Sequence, residues 1–186
     1  MNPEGYDFKG WATKNNLRCS DGRTLIKDAF IDNDGATVPL VWHHQYGDPA
    51  NILGHALLQN TNDGVIAYGY FNDTESGKLA KQLVQHKDIT QLSIFANKLV
   101  HSNGKNVIHG DIREVSLVPA GANPGATITD VIMHGEDTIY LAEDEGILTT
   151  NETIELIHAD DPEDTKKKEE KEEPKKEEYS LASFSS

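Results

Sequence analysis

The chain has 186 residues, a formal net charge of −14 and 37% hydrophobic residues, a length that suits one domain with an appendage. Such an acidic chain is a poor partner for nucleic acid, whose phosphates need a basic face, and for an anionic membrane surface. A lone cysteine, Cys19, excludes an internal disulfide framework; with no apolar run long enough to span a bilayer and no basic-then-apolar N-terminus, the chain reads as soluble, in a reducing cell interior or a virion.

Residues 1–23 are polar and broken by glycine, and read as an irregular N-terminal arm. Apolar patterning begins at Thr24, where Thr24–Ile31 reads as a strand closed by the turn signal Asp32-Asn33-Asp34-Gly35. Thr37–Trp42 is a second strand, and Pro39 puts it near an edge or a bulge. Gly54–Gln59 and Gly64–Phe71 pair as a hairpin around Asn62-Asp63-Gly64. A helix is expected from Thr74 to about Lys87, with Leu79, Ala80, Leu83 and Val84 as its apolar stripe and Asn72, Asp73 or Thr74 as its cap. Strands resume at Thr90–Val100, turn at Ser102-Asn103-Gly104 and return over Val107–Val118, with a further strand at Ala126–Met133. These elements predict a compact, mainly β domain with one clear helix, in the manner of a barrel. Residues 135–158 form an acidic, weakly patterned extension. Residues 159–186 form a Lys/Glu-rich, low-complexity tail with the composition of a disordered segment; it carries ten acidic and six basic side chains, so the body of the chain is strongly acidic too.

Three short blocks hold residues capable of chemistry. Trp42-His43-His44-Gln45 places two histidines at the end of an apolar strand, where they are surface histidines, metal ligands together with His55 or His109, or a general base. Adjacent strand residues face opposite ways, and there is no HExxH run or cysteine pair, which weighs against a metal. Leu92-Ser93-Ile94 puts a serine inside an apolar strand; it is a tolerated small residue or, given a base within reach, a nucleophile. No GxSxG elbow surrounds it. In Asp111–Val118, alternation puts Ile112, Glu114, Ser116 and Val118 on one face. A carboxylate among apolar neighbours needs a partner, either an Arg or Lys or an imidazole that it orients. Cys19 lies in a turn-like polar stretch that gives it little claim as a nucleophile.

Taken in order, Val38-Pro39-Leu40-Val41-Trp42-His43-His44, Leu92-Ser93-Ile94 and Arg113-Glu114-Val115-Ser116-Leu117-Val118 with Ala122-Asn123-Pro124 resemble the tailed-bacteriophage prohead protease family, relatives of the herpesvirus assemblins. The resemblance covers roughly Thr24 to Ile128 and includes the helix before the serine strand. It implies an assemblin-like β-barrel domain over residues 24–134 that acts as a serine endopeptidase. Carried over block by block, Ser93 matches the nucleophile, His44 the histidine and Glu114 the acidic residue, with His43 at a variable position. The chain departs where the family often has Gly two residues after the serine, since Phe95 stands there, and Gln45 only partly matches the residue after the histidine. No oxyanion donor can be assigned; Arg113 is a candidate that alternation points away from Glu114.

The resemblance further implies that the substrates are the scaffolding protein, the major capsid protein and the protease itself, cut inside the immature capsid in the host cytoplasm. It calls for no cofactor, metal, nucleic acid or membrane, and it admits a homo-oligomer. Two rivals stand beside it. One is a non-catalytic scaffolding or assembly module on the same fold, which the acidic tail favours. The other is a metal-dependent hydrolase built on His43, His44 and His55. The family is often joined to a scaffolding segment, so residues 159–186 read as a linker toward one or as a natural disordered end.

Overall fold

The computed structural model describes residues 2–19, 22–119, 132–134, 137–139 and 144–154. The strands are β1 (Phe8–Lys14), β2 (Thr24–Leu25), β3 (Thr37–Trp42), β4 (Ile52–Asn60), β5 (Gly64–Phe71), β6 (Gln91–Ser102), β7 (Asn106–Val118), β8 (Ile132–His134), β9 (Asp137–Ile139) and β10 (Gly146–Thr153), with helix α1 (Glu75–Gln85) between β5 and β6. The main sheet runs β1-β5-β4-β3-β7-β6-β10, with β2 beside β7 and a separate β8–β9 pair. It is antiparallel except where β7 meets β3 and β2, which run parallel to it. The end strands β1 and β10 come together, so the sheet curls on itself. Gly10 permits the approach: a Cβ there would lie 3.1 Å from Leu92 Cδ1 and 3.4 Å from Ile154 Cα. The result is the expected mainly β, barrel-like domain with one helix among the described residues.

One core fills the curl. Phe8, Leu25, Leu40, Leu58, Leu92, Ile94, Val115, Leu117 and Leu148 all lie within it. On α1, Ala80 and Val84 are buried and Leu83 packs against the core. Leu79, expected in that stripe, is instead 57% exposed, because the helix meets the sheet along a narrower seam. Thr74 caps the helix by accepting from Gly77 N–H at 3.1 Å. Pro39 sits just ahead of a register shift at Leu40/Val41, and the β7 ladder starts only at Leu40, so its missing N–H costs no bond on that side.

Three segments differ from expectation. Residues 1–23 contain β1, whose Phe8, Gly10 and Ala12 alternate inward against the core. Only Thr24–Leu25 of the proposed 24–31 strand pairs; Asp28 then takes φ 63° and the chain enters a 3-10 turn at Ile31–Asn33. The extension at 135–158 supplies β10, an integral strand of the main sheet. Most of the strand proposed at Ala126–Met133, and all of the proposed tail at 159–186, lie outside the described residues.

Candidate active site

Strands β6, β7 and β10 lie side by side and bring chemistry to one face. On β6, Leu92, Ile94 and Ala96 enter the core, which sends Ser93 and Phe95 to the opposite face. Ser93 stands opposite Ser116 of β7 and Thr149 of β10. On β7 simple alternation fails. Glu114 pairs with Phe95 while Ile112 pairs with Ala96, so Arg113 is an extra, bulged residue. The bulge changes the phase of the strand. Ile112 joins Val115 and Leu117 in the core rather than sharing a face with Glu114, as alternation suggested. Glu114 and Ser116 are turned together toward Ser93, and Arg113 is left exposed.

His44 reaches this face from the turn that ends β3. His43 and His44 adopt φ 48° and 59°, left-handed values that are uncommon outside glycine. They form the centre of a tight turn closed by Gln45 N–H donating to Trp42 O at 2.9 Å. Two bonds to β7 hold the strained backbone: His43 N–H donates to Leu117 O at 3.0 Å, and His44 N–H donates to Ser116 Oγ at 3.0 Å. Strain of this kind costs about 1–3 kcal/mol per residue and persists where surrounding structure over-determines it. A turn, rather than the strand alternation expected from sequence, separates the two histidines.

The side chains then connect in series. Glu114 Oε1 pairs with His44 Nδ1, and His44 Nε2 lies 2.9 Å from Ser93 Oγ. The carboxylate can only accept, so Nδ1 carries the proton and Nε2 is left as the acceptor for the Ser93 hydroxyl. Ser116 Oγ donates to Glu114 Oε2 at 2.6 Å while accepting the His44 backbone N–H, so it ties the carboxylate to the histidine backbone. All of these groups are withdrawn from water: Ser93 and Ser116 have no exposed surface, and His44 and Glu114 are each 4% exposed. A buried carboxylate is costly unless its lone pairs are met, and here both oxygens have donors. Among the described residues the partners of Glu114 are His44 and Ser116 rather than an Arg or Lys.

Around this chain lie further polar groups. Thr149 Oγ1 donates to Ser93 Oγ at 2.9 Å, and Leu148 O lies 3.2 Å from the same oxygen. Phe95 and Tyr46 pack ring to ring, 6.2 Å between centroids, beside the site. Burial pushes the Tyr46 phenol above its ordinary value, and the charges of Glu114 and Glu145 add to the effect.

The structure thus brings Ser93, His44 and Glu114 together and leaves the other candidates apart. His55 is exposed and stacks on Tyr70 at 4.9 Å, and His109 lies 3.5 Å from Asp32. Among the described residues no group of three His, Cys, Asp or Glu side chains is arranged to hold a metal. Cys19 is buried in the core. Two hydroxyls of the site were not singled out from sequence. Ser116 carried a signal, its position two residues after Glu114 on the same face. Thr149 carried none, since it lies in a stretch with no apolar alternation to mark a strand.

A serine hydroxyl, an imidazole and a carboxylate in that order are the working groups of serine peptidases. Residues 4–139 match the family described as caudovirus prohead serine protease, and the chain belongs to that family of phage capsid-maturation proteases. No curated protein and no solved structure matches the chain. No helix among the described residues is long and apolar enough to cross a membrane.

Proposed function

We propose that the protein is a serine endopeptidase in which Ser93 is the nucleophile, His44 the general base and Glu114 the group that orients it. The reading rests on one observation above others, the unbroken run of hydrogen bonds from Glu114 through His44 to Ser93. Ser93 Oγ attacks a peptide carbonyl and passes its proton to His44 Nε2. The imidazolium that forms is stabilised by Glu114, then gives the proton to the leaving amine. Water repeats the sequence in reverse to release the acyl group. Ser116 holds Glu114 through its other oxygen while Oε1 meets His44 Nδ1, so the tautomer with Nδ1–H is kept. Ser93 has no exposed surface in this conformation.

Membership of the family supports capsid-related substrates. The finer proposal is that the chain cuts scaffolding protein, major capsid protein and itself inside the immature capsid. The test pairs a fluorophosphonate probe with co-expressed capsid protein. The native chain should label and cleave, and Ser93→Ala should lose both by at least about 10⁴-fold while melting at the same temperature. Cleavage that survives in Ser93→Ala would overturn the assignment of the nucleophile. A native chain that neither labels nor cleaves would favour the assembly module instead.

A further inference from the structure

Ser93 has more neighbours than a three-membered chain uses. Its oxygen lies 2.9 Å from His44 Nε2, 2.9 Å from Thr149 Oγ1 and 3.2 Å from Leu148 O. A serine hydroxyl has one proton to give and two lone pairs to receive with. Its proton therefore has two competing acceptors, the imidazole nitrogen and the Leu148 carbonyl, and only the first leads to chemistry. The same carbonyl presents the negative end of a dipole to the oxygen on which charge must build during attack. In a buried site that opposition is felt strongly, because little water is present to screen it. Thr149 is the group that offsets it, since its hydroxyl offers a proton to Ser93 Oγ from the same strand.

We propose that Thr149 is a fourth catalytic group of this site, donating to Ser93 Oγ and stabilising the negative charge that grows there as the proton passes to His44. This rests on the reading of Ser93 as the nucleophile. Three features of the strand support the role. Thr149 is only 6% exposed, so its dipole acts at close range without competing solvent. Its position is set by backbone pairing, with Thr149 opposite Ser93 and Leu148 opposite Ile94. Leu148 is fully buried in the core, and a slip of one residue would turn it to the site face and Thr149 into the core, so the register is strongly held. Strand β10 also lies beyond the matched residues 4–139, so this chain completes its site with a segment outside the region that the family match covers.

The experiment follows the rate at which a fluorophosphonate modifies the full-length chain. In that step the bond from Ser93 Oγ to phosphorus forms, the phosphorus–fluorine bond breaks, fluoride leaves and the serine proton goes to His44. Thr149→Val keeps the shape of the side chain and removes its hydroxyl, and Thr149→Ser keeps the hydroxyl. The valine variant should lose about 10- to 100-fold in the limiting rate of modification, the worth of one hydrogen bond to a charged group, with probe affinity little changed. The serine variant should recover most of that loss. Should the valine variant fail to fold, as judged by its melting curve, Thr149→Ala makes the same comparison without a second branch on the β-carbon. Unchanged rates in the hydroxyl-free variants, or a loss that serine does not restore, would overturn the role of Thr149 and leave Ser93 as nucleophile intact. Labelling of Ser93→Ala at the native rate would instead remove the reading on which it rests.

Discussion

Around the site, where Ser93, Glu114, Ser116 and Thr149 lie, strands β6, β7 and β10 are buried on both faces, and the two faces are buried for opposite reasons. The inner face carries Leu92, Ile94, Ala96, Val115, Leu117 and Leu148, which contribute by leaving water and by close packing. The outer face carries Ser93, Glu114, Ser116 and Thr149, which gain little from leaving water and persist there only because each polar atom finds a partner. Removing a group from the inner face should therefore cost stability. Removing one from the outer face should cost chemistry first. The contrast also accounts for the bulge at Arg113: without it, Ile112 and Glu114 would compete for one face, and either the core or the site would be wrong.

The sharpest break is Glu114→Gln. The amide can offer N–H to His44 Nδ1 and so favour the tautomer whose Nε2 already bears a proton and cannot take one from Ser93. Peptidase activity should fall on the order of 10⁴-fold with the fold retained, measured as kcat/KM on a capsid-derived peptide. The same variant removes one of the charges that raise the Tyr46 phenol, so its ultraviolet pH titration midpoint should move down. It should stop short of an ordinary tyrosine, because burial, the larger cause, remains. A midpoint that rises would contradict the assigned cause.

Ile94→Ala tests the inner face of the same strand. Ile94 is fully buried beside Ser93 in sequence, and its truncation should lower stability by about 2–5 kcal/mol in a denaturant titration. Labelling of Ser93 in the fraction that remains folded should be much less affected. Equal damage to both readouts would mean that the two faces are not separable.

Ser116→Ala probes the weakest link of the outer face. It frees Glu114 Oε2 and removes the acceptor of the His44 backbone N–H, which helps to hold a left-handed residue. Activity should fall by about 10- to 100-fold, chiefly in kcat, with Ser116→Thr recovering part of it. A change confined to KM would argue that Ser116 shapes substrate binding rather than the carboxylate.

Much of this architecture is written in local pattern. The hairpin β4–β5, the helix capped by Thr74, and the long pair β6–β7 around Asn103-Gly104 follow from alternation, helical spacing and turn residues. Asn103 and Gly104 both take positive φ inside the three-residue turn between the paired Ser102 and Asn106, where Asn and Gly tolerate that backbone best. The candidates His44, Ser93 and Glu114, which the fold brings within hydrogen-bond reach, likewise came from short motifs rather than from any property of the residues alone. The strands that close the curl were not legible in this way. β1 turns Phe8, Gly10 and Ala12 inward, and glycine and alanine carry almost no hydrophobic signal. β10 is rich in threonine, and only its place beside β6 makes it a strand of the core.

Residue type and short-range spacing are therefore enough to mark which side chains could act and which segments pair with their neighbours along the chain. Tertiary structure alone decided how those side chains meet. The left-handed turn at His43-His44, the bulge that rotates Glu114 onto the site face, and the arrival of Thr149 beside Ser93 all depend on hydrogen bonds between residues far apart in the chain. Such bonds become worth their ordering cost only after the sheet has closed around its core.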